Sequence, residues 1–414
     1  MYRLILDELK NWKNQKKHPL LILKGGMKVG KTWTLCEFGK RFFQDVLYVD
    51  CSKTAYMSYI AGENLEPERI LRMLTMYHGK RIKAGETLLI FDEVQTIPGL
   101  LRALLRLAKS CPEYMISCTG AFLERELPCV SEELEAKPKI LTVNPLNFKE
   151  FLLVSKKELL IKDMEAGVLM EPDKREMLEC LCIYLVVGGM PEAVLAWLET
   201  GSIEKVKKVQ KSLLETYVER AEAHFPTIAI GALRDALERA ASMLSVEYKE
   251  WNGSEEEALS ALIQSGLVHK VNRITQGKWP PESYIDEEAY QLYVLDVGLL
   301  SALYEISEIS AERMHQIRNG AMMLQLVWQE LYANANISQL YYWRQERDVK
   351  IDFLFNDEKL MIPVCICMNE EERQNGLMMF RKLYSPPASV KISRMQTSQE
   401  QDILTIPVFG IWNL

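Results

Sequence analysis

The sequence predicts an α/β protein whose first part is a parallel β-sheet with helices on both faces. Up to residue 143, short apolar runs alternate with helical segments, and this alternation is typical of parallel sheets. A glycine-rich loop follows the first apolar run, and two acidic residues stand at the end of the third. Ligands of such sheets bind at the carboxyl ends of the strands, so we expect a site there. The strands are expected at residues 20–23, 46–50, 87–92, 114–120 and 139–143.

The glycine-rich loop has the pattern G-x-x-x-x-G-K-[ST], which binds the phosphates of a nucleotide. An apolar run precedes the loop, and a helical pattern from Trp33 to Arg41 follows it, which is the context that the pattern requires. Glycines let the backbone approach a phosphate closely, and the amides at the start of the helix attract the anion. The sequence therefore predicts that the phosphates of a nucleotide bind at Gly25, Gly26, Met27, Lys28, Val29, Gly30, Lys31, Thr32 and Trp33.

Five side chains of this region are expected to carry the chemistry of nucleotide hydrolysis. We expect Lys31 to contact the β- and γ-phosphates and the hydroxyl of Thr32 to bind Mg²⁺. Asp92, at the end of the third strand, is expected to hold the same Mg²⁺ directly or through a water. Glu93 is placed to activate a water for attack on the γ-phosphate. Thr119, at the end of the fourth strand, is expected to sense that phosphate or to hold the attacking water, and the alternative is that it caps the next helix.

Length and composition indicate a protein of several domains. A chain of 414 residues is too long for one ordinary core, and 48% hydrophobic with 26% charged residues is normal for a globular protein. A net charge of −7 does not indicate a general nucleic-acid binder, although a local basic face stays open. The N-terminus does not resemble a signal peptide and no apolar run is long enough to span a membrane, so we expect a cytoplasmic protein.

The rest of the chain changes character twice after a first domain at residues 1–146. Residues 147–221 are helical, and residues 222–312 show a helix followed by a strand, a turn and a strand, which is the order of a winged helix. Residues 313–414 return to an α/β pattern. The sequence thus predicts four domains. A winged helix binds either DNA or a protein partner, and the sequence does not favour one over the other.

Taken together, these features resemble the prokaryotic AAA-type ATPases that carry a C-terminal domain of unknown function. The resemblance implies a P-loop ATP-binding core, a helical lid and winged-helix-like middle, and a C-terminal restriction-endonuclease-like domain. Met27 and Lys28 replace a commoner Arg-Gln pair, but at variable loop positions, so nucleotide binding is expected to survive. Besides the loop, the resemblance rests on residues 88–95, 144–152, 188–192, 293–300, 341–344 and 352–353.

The C-terminal domain departs from this family at the positions that the resemblance assigns to nuclease chemistry. Asp352 is retained, but Cys365 and Cys367 stand where family members often carry Glu and Lys, and Leu324 stands where an upstream acid is expected. A hard cation needs oxygen ligands, and the one carboxylate that remains at these positions is insufficient for the nuclease site. We therefore expect no nuclease activity. The two cysteines lie on one side of a strand, which leaves a soft metal open, whereas reduced thiols packed in the core are the simpler interpretation.

Two functions are compatible with these observations. The first is an Mg²⁺-dependent ATPase, a hydrolase that uses ATP hydrolysis as a conformational switch or motor on an unknown partner. The second is a nucleotide-gated regulator that binds DNA or protein with negligible turnover. An arginine finger would favour the first, and its candidates are Arg102, Arg106 and Arg125. Both functions leave oligomer formation open.

Overall fold

The computed structural model describes residues 2–54, 56–62, 65–120, 123, 130, 132, 135, 137–244, 246–247, 253–310, 320–346, 349–357, 359–368 and 374–414. The chain divides into two compact units, Met1–Asn144 and Pro145–Leu414. Each unit is built on its own β-sheet.

The first unit contains a five-stranded sheet with the strand order β2-β3-β4-β1-β5. All neighbouring strands are parallel, so their carboxyl ends lie at one edge, and β4 separates β1 from β3. This confirms the predicted parallel α/β sheet with flanking helices. The strands are β1 (Leu21–Lys24), β2 (Asp45–Asp50), β3 (Thr87–Asp92), β4 (Met115–Thr119) and β5 (Lys139–Thr142). The helices are α1 (Ile5–Lys13), α2 (Lys31–Phe42), α3 (Met57–Gly62), α4 (Pro67–His78) and α5 (Leu100–Ser110).

The core of this unit explains why its strands are apolar along their whole length. Every residue of β3 and β4 is buried, as expected for central strands of a sheet covered on both faces. The leucines of α5 join residues of β3 and β4 in one hydrophobic cluster. On α2, Gly39 allows close packing, because a Cβ there would lie 2.7 Å from Val46 Cγ2 of β2. The packed core thus fixes the position of the carboxyl-terminal sheet edge, where the glycine-rich loop, Asp92 and Glu93 lie.

The second unit begins with helices and continues into an eight-stranded mixed sheet of order β12-β13-β11-β10-β9-β8-β6-β7. Its helices are α6 (Phe148–Val154), α7 (Glu158–Glu165), α8 (Glu171–Val187), α9 (Pro191–Thr200), α10 (Ile203–His224), α11 (Ile230–Ser242), α12 (Gly253–Gln264), α13 (Val297–Leu303), α14 (Ala321–Ala333) and α15 (Gln374–Tyr384). Its strands are β6 (Val268–Ile274), β7 (Ile285–Val294), β8 (Leu340–Glu346), β9 (Val349–Asp357), β10 (Leu360–Ile366), β11 (Ser389–Ser393), β12 (Ser398–Glu400) and β13 (Ile403–Pro407).

The hairpin of the segment that was predicted to resemble a winged helix belongs to the same sheet as the C-terminal strands. β6 pairs with β7 in antiparallel fashion, and its other edge pairs in parallel with β8, from Asn272 opposite Tyr341 to Ile274 opposite Trp343. The sheet therefore continues across the boundary predicted at 312/313. Local sequence patterns do not show which strands pair over such a distance, and the four predicted domains stay a prediction.

Asp296 holds two glycine-containing motifs of the second unit together. Its Oδ2 accepts the backbone N–H of Gly189 at 2.6 Å, and its Oδ1 accepts those of Gly298 and Leu299 at 3.0 and 3.1 Å. Gly188 has a positive φ of 73°, and a Cβ on it would overlap Asp296 Oδ1. Close approach of these backbones thus explains why residues 188–192 and 293–300 carry glycines.

Two side chains of α14 extend this buried network. Gln329 Nε2 donates to the Tyr184 hydroxyl at 2.9 Å and to Asp296 Oδ2 at 3.3 Å. Glu330 Oε1 accepts the backbone N–H of Phe148 at 2.8 Å. Because both carboxyl groups are buried, the pKa of Asp296 is raised to about 6 and that of Glu330 to about 8.

Candidate functional site

The loop between β1 and α2 uses backbone conformations that glycine supplies. Gly25 and Gly30 have positive φ values of 137° and 99°, and Gly30 is the N-cap residue of α2. A Cβ on Gly25 would overlap the carbonyl oxygen of Val143. Lys28 has a φ of 60°, a left-handed conformation that costs a non-glycine residue about 1 kcal/mol. The loop therefore holds a strained conformation at the start of a helix, where backbone amides attract anions.

The amine of Lys31 lies against the loop. Lys31 Nζ donates to the carbonyl oxygens of Gly25 at 2.9 Å and Gly26 at 2.7 Å. Burial lowers the pKa of Lys31 to about 8, and the charges of Glu93 and Asp92 oppose this shift. Both acids are thus close enough to interact with the ammonium group, as the predicted roles of these residues require.

Asp92 is joined to Thr32 and to a residue that the sequence did not indicate. Asp92 Oδ2 accepts the hydroxyl of Thr32 at 2.8 Å and that of Tyr48 at 2.9 Å. Asp92 Oδ1 is buried and has no hydrogen-bond partner among the residues that the structure describes. An unpaired buried carboxylate oxygen is costly, and Mg²⁺ prefers carboxylate and hydroxyl oxygens. Thr32 and Asp92 therefore fit an Mg²⁺ ion.

Tyr48 reaches Asp92 because β2 and β3 are neighbours. The register places Asp50 opposite Asp92, and Tyr48 lies two residues before Asp50 on the same face of β2. Burial, and next the hydrogen bond to Asp92, raise the pKa of Tyr48 well above its usual value, so its hydroxyl stays protonated as a donor. A local sequence pattern does not indicate Tyr48, because its contact with Asp92 depends on which strands are neighbours.

Glu93 occupies a sharp turn directly after β3. Its φ of 56° is left-handed, a conformation that in non-glycine residues concentrates at functional sites. Glu93 Oε2 accepts a hydrogen bond from Gln95 Nε2 at 2.6 Å. Thr96 Oγ1 donates to the carbonyl oxygen of Glu93 at 2.7 Å and so holds the turn. The carboxylate is thus fixed by contacts within its own turn.

Thr119 lies on β4, between β1, which leads into the glycine-rich loop, and β3, which ends at Asp92. It ends β4, with Leu23 of β1 paired to it on one side and with Phe91 of β3 opposite Cys118 on the other. Thr119 is fully buried, and within the described part of the chain its Oγ1 has no hydrogen-bond partner. A buried hydroxyl without a partner suits a role toward a bound group. The competing prediction, a cap of the next helix, concerns residues 121–122, which lie outside the described residues.

Arg3 is a second residue that the sequence did not indicate. It precedes α1, it is only 3% exposed, and its Nη1 donates to the carbonyl oxygen of Val29 at 2.9 Å. Its Nη2 donates to the carbonyl oxygen of Asn144 at 2.6 Å. A buried guanidinium thus connects the loop with the end of the unit.

Of the arginine-finger candidates, Arg102 and Arg106 lie on α5 and are half-buried, whereas Arg125 lies outside the described residues.

The C-terminal positions that the family resemblance singles out lie in a packed sheet. Asp352 Oδ2 accepts the backbone N–H of Ile366 at 2.9 Å, and Oδ1 lies 3.4 Å from Lys350 Nζ. Cys365 and Cys367 are buried in a hydrophobic cluster, and Leu324 is buried on α14. In the regions covered by the structure, no group of three His, Cys, Asp or Glu side chains could hold a metal ion. The expected lack of nuclease activity stays a prediction.

Comparison with known proteins identifies two parts of the chain. Residues 17–152 match the family model of an AAA domain, and residues 179–310 match a domain of unknown function, DUF8612. No curated protein matches the chain. The AAA match includes the loop, both acids and Thr119, so all of these residues lie in the part of the chain that is similar to an AAA domain. The restriction-endonuclease-like fold of the C-terminal strands stays a prediction.

Several solved structures are weakly similar to the chain. They include the Aeropyrum pernix ORC1 protein in complex with DNA, with 16% identity, 74% of this chain and 93% of that chain covered, and a TM-score of 0.31. Cdc6p from Pyrobaculum aerophilum has 13% identity, with 73% and 92% covered and a TM-score of 0.28. Similarities this weak do not bear on the strand order of the sheet or on the residues of the site. Among the described helices, none is long and apolar enough to cross a membrane.

Proposed function

We propose that the chain binds ATP with Mg²⁺ at the loop and hydrolyses it, and that this cycle acts as a conformational switch or motor on a partner. The observation that carries the proposal is the buried, unpartnered Oδ1 of Asp92 beside the hydroxyl of Thr32. A hard cation supplies the missing partner, and a nucleotide triphosphate at the loop brings such a cation with it. The AAA-domain match over residues 17–152 supports the same activity.

Residues of the loop would bind the phosphates, and Lys31 would neutralise part of their charge. Backbone amides from Gly25 to Trp33 present N–H groups to an anion at the start of α2. The ammonium of Lys31 exchanges the carbonyl oxygens of Gly25 and Gly26 for phosphate oxygens. Mg²⁺, held by Thr32 and Asp92, would neutralise charge on the β- and γ-phosphates.

Glu93 and Thr119 would prepare the attacking water. Glu93 accepts a proton from that water, which a carboxylate placed beside the γ-phosphate is suited to do. The hydroxyl of Thr119, held between the two site strands by β4, donates to the water or to the γ-phosphate. The protein therefore contributes orientation, charge and one proton acceptor, which is what phosphoryl transfer to water requires.

ATP hydrolysis and ATP binding, measured separately, test this proposal. We expect Lys31→Ala to lose both, because the phosphate charge is no longer balanced. We expect Glu93→Gln to keep binding and to lose turnover by about a hundredfold, the usual contribution of a general base. Lys40→Ala, an exposed lysine of the same helix, is the matched control and should behave as the wild type.

Three outcomes are decisive for this experiment. Turnover that survives Lys31→Ala would contradict the site assignment. Turnover that persists when Mg²⁺ is chelated would contradict the role of Thr32 and Asp92. Nucleotide binding without turnover in every form, with or without duplex DNA, would support the nucleotide-gated regulator instead.

For the partner we propose a protein surface rather than DNA. The acidic residues Glu256 and Glu257 are exposed at the start of α12, the helix that precedes the hairpin. Glu287 and Glu288 are exposed on β7, the outermost strand of the sheet. These charges repel phosphate, and DNA binding depends on Lys and Arg contacts. We expect no binding to a duplex at low salt, whereas affinity that falls steeply with salt would contradict this choice.

A further inference from the structure

Gln95 contacts both the proposed general base and the end of β4. The geometry points to Gln95 as a positioning residue, one that holds the Glu93 carboxylate for proton transfer by wedging its amide against Gly120. This inference rests on the proposed ATP hydrolysis. It adds a residue that acts only through Glu93. Through its contact with Gly120, this residue also makes the end of β4 part of the structure that orients the Glu93 carboxylate.

The first contact joins Gln95 to Glu93. Gln95 Nε2 donates to Glu93 Oε2 at 2.6 Å, and hydrogen bonds to a charged acceptor are stronger than neutral ones. The observed hydrogen bond therefore restrains the carboxylate of Glu93 within the turn that follows β3.

The second contact joins Gln95 to the end of β4. A Cβ on Gly120 would overlap Gln95 Oε1, so the amide oxygen occupies the place of the missing side chain. Gly120 does not have a left-handed φ, and its conformation does not require glycine. Glycine is needed here for space. The amide of Gln95 thus bonds the Glu93 carboxylate through its nitrogen, and its oxygen lies against the residue that directly follows Thr119.

The turn conformation makes such a restraint necessary. The left-handed backbone of Glu93 leads into a short 3-10 helix, Val94–Thr96, which brings Gln95 back toward Glu93. A glutamate side chain has several rotamers, and fixing one of them costs free energy that a firm hydrogen bond offsets. Without Gln95, the carboxylate would spend less time in the orientation that proton transfer needs.

Steady-state ATP hydrolysis by Gln95→Leu tests the inference. Leucine is close in size but cannot donate, so we expect kcat to fall about tenfold, part of the usual contribution of a general base. KM and ATP affinity should stay within about twofold, because the loop and Lys31 are unchanged. Gly120→Ala should have the same effect by displacing the amide. Gln44→Leu, the same substitution at an exposed site, is the matched control.

A double-variant comparison separates positioning from structural damage. If Gln95 acts through Glu93, then Gln95→Leu should cause no further loss of single-turnover rate in a Glu93→Gln background. Thermal unfolding of each variant checks folding, and Gln95→Leu remains informative if Gly120→Ala fails to fold.

The outcomes distinguish this inference from the proposed function. Unchanged kcat in Gln95→Leu, beside an active wild type, overturns the inference alone. A raised kcat also overturns it, because Gln95 would then hold the Glu93 carboxylate in an orientation that slows proton transfer. If Gln95→Leu lowers the single-turnover rate by the same factor in the wild type and in the Glu93→Gln variant, Gln95 does not act through Glu93. A wild type that binds ATP without turnover overturns the proposed function, and the inference fails with it.

Discussion

Arg3 shows that residues distant in the sequence shape the loop as much as its glycines do. The guanidinium fixes the carbonyl groups of Val29 and Asn144, which lie 26 and 141 positions away along the chain. Holding the Val29 carbonyl also fixes the plane of the peptide bond between Val29 and Gly30. The loop motif is therefore only part of what forms the anion site.

We expect Arg3→Lys to weaken ATP binding about tenfold. Arg3 contacts the two carbonyl groups through two different nitrogens, and the single, shorter-reaching ammonium nitrogen of lysine does not span both, so one carbonyl group stays unpaired. Calorimetric titration with ATP measures this. Lys16→Ala, an exposed basic residue nearby, is the control and should bind normally. Normal affinity in Arg3→Lys would show that the guanidinium serves stability only.

The ammonium of Lys31 gives the site a pH dependence. Its pKa of about 8 without nucleotide means that the charge is lost as the pH rises through that value, and phosphates raise the pKa when they bind. ATP affinity should therefore be highest below pH 8 and fall above it. Titrations from about pH 7 to 9.5 measure the slope, and a permanently charged Lys31→Arg variant should lack it. An equal slope in both would assign the effect to another group.

Local patterns predicted Lys31, Thr32, Asp92 and Glu93, because each role follows from a short motif next to one strand. Tyr48, Arg3 and the contact of Gln95 with Gly120 could not be predicted in this way. Each depends on which strands are neighbours or on how a turn folds back, and neither property is present in a local pattern.

At the scale of elements, the five strands of the first unit lie within a residue or two of their expected positions. Buried parallel strands are continuous apolar runs, which makes them visible in a sequence. The short helix α3 was not anticipated, because its six residues are too few to show a helical period. Packing between elements adds constraints that no single element shows, as Gly39 does between α2 and β2.

We expect Gly39→Ala to destabilise the protein by about 1–2 kcal/mol, although alanine favours helices, because overpacking against Val46 outweighs that gain. Chemical denaturation measures the change. The double variant with Val46→Ala removes the overlapping methyl groups and should recover most of the loss. A stabilised single variant would mean that α2 shifts freely over β2.

At the scale of the whole molecule, buried carboxyl groups tie the stability of the second unit to pH. The pKa of Glu330 is raised from 4.5 to about 8, and that of Asp296 from 3.8 to about 6. The folded state therefore holds these protons more tightly than the unfolded chain does. By linkage, their contribution to the free energy of unfolding is complete below the unfolded-state values and is lost as pH rises toward the folded-state values.

The free energy of unfolding should consequently fall by on the order of a few kcal/mol between pH 5 and 8, mainly through Glu330. Thermal unfolding over that range measures it. Glu330→Gln stays neutral and keeps an acceptor for the N–H of Phe148, so its stability should vary much less. Glu308→Gln, an exposed acid, should retain the wild-type slope. A wild type that gains stability over this range would refute the raised pKa.

The pairing of β6 with β8 limits how this protein can be divided. A fragment that ends at residue 312 would retain the hairpin but leave one hydrogen-bonding edge of β6 bare. Bare edges recruit strands from other chains, so such a fragment should aggregate. Deletion studies that search for the partner should therefore cut between Asn144 and Pro145 and keep the remainder of the chain intact.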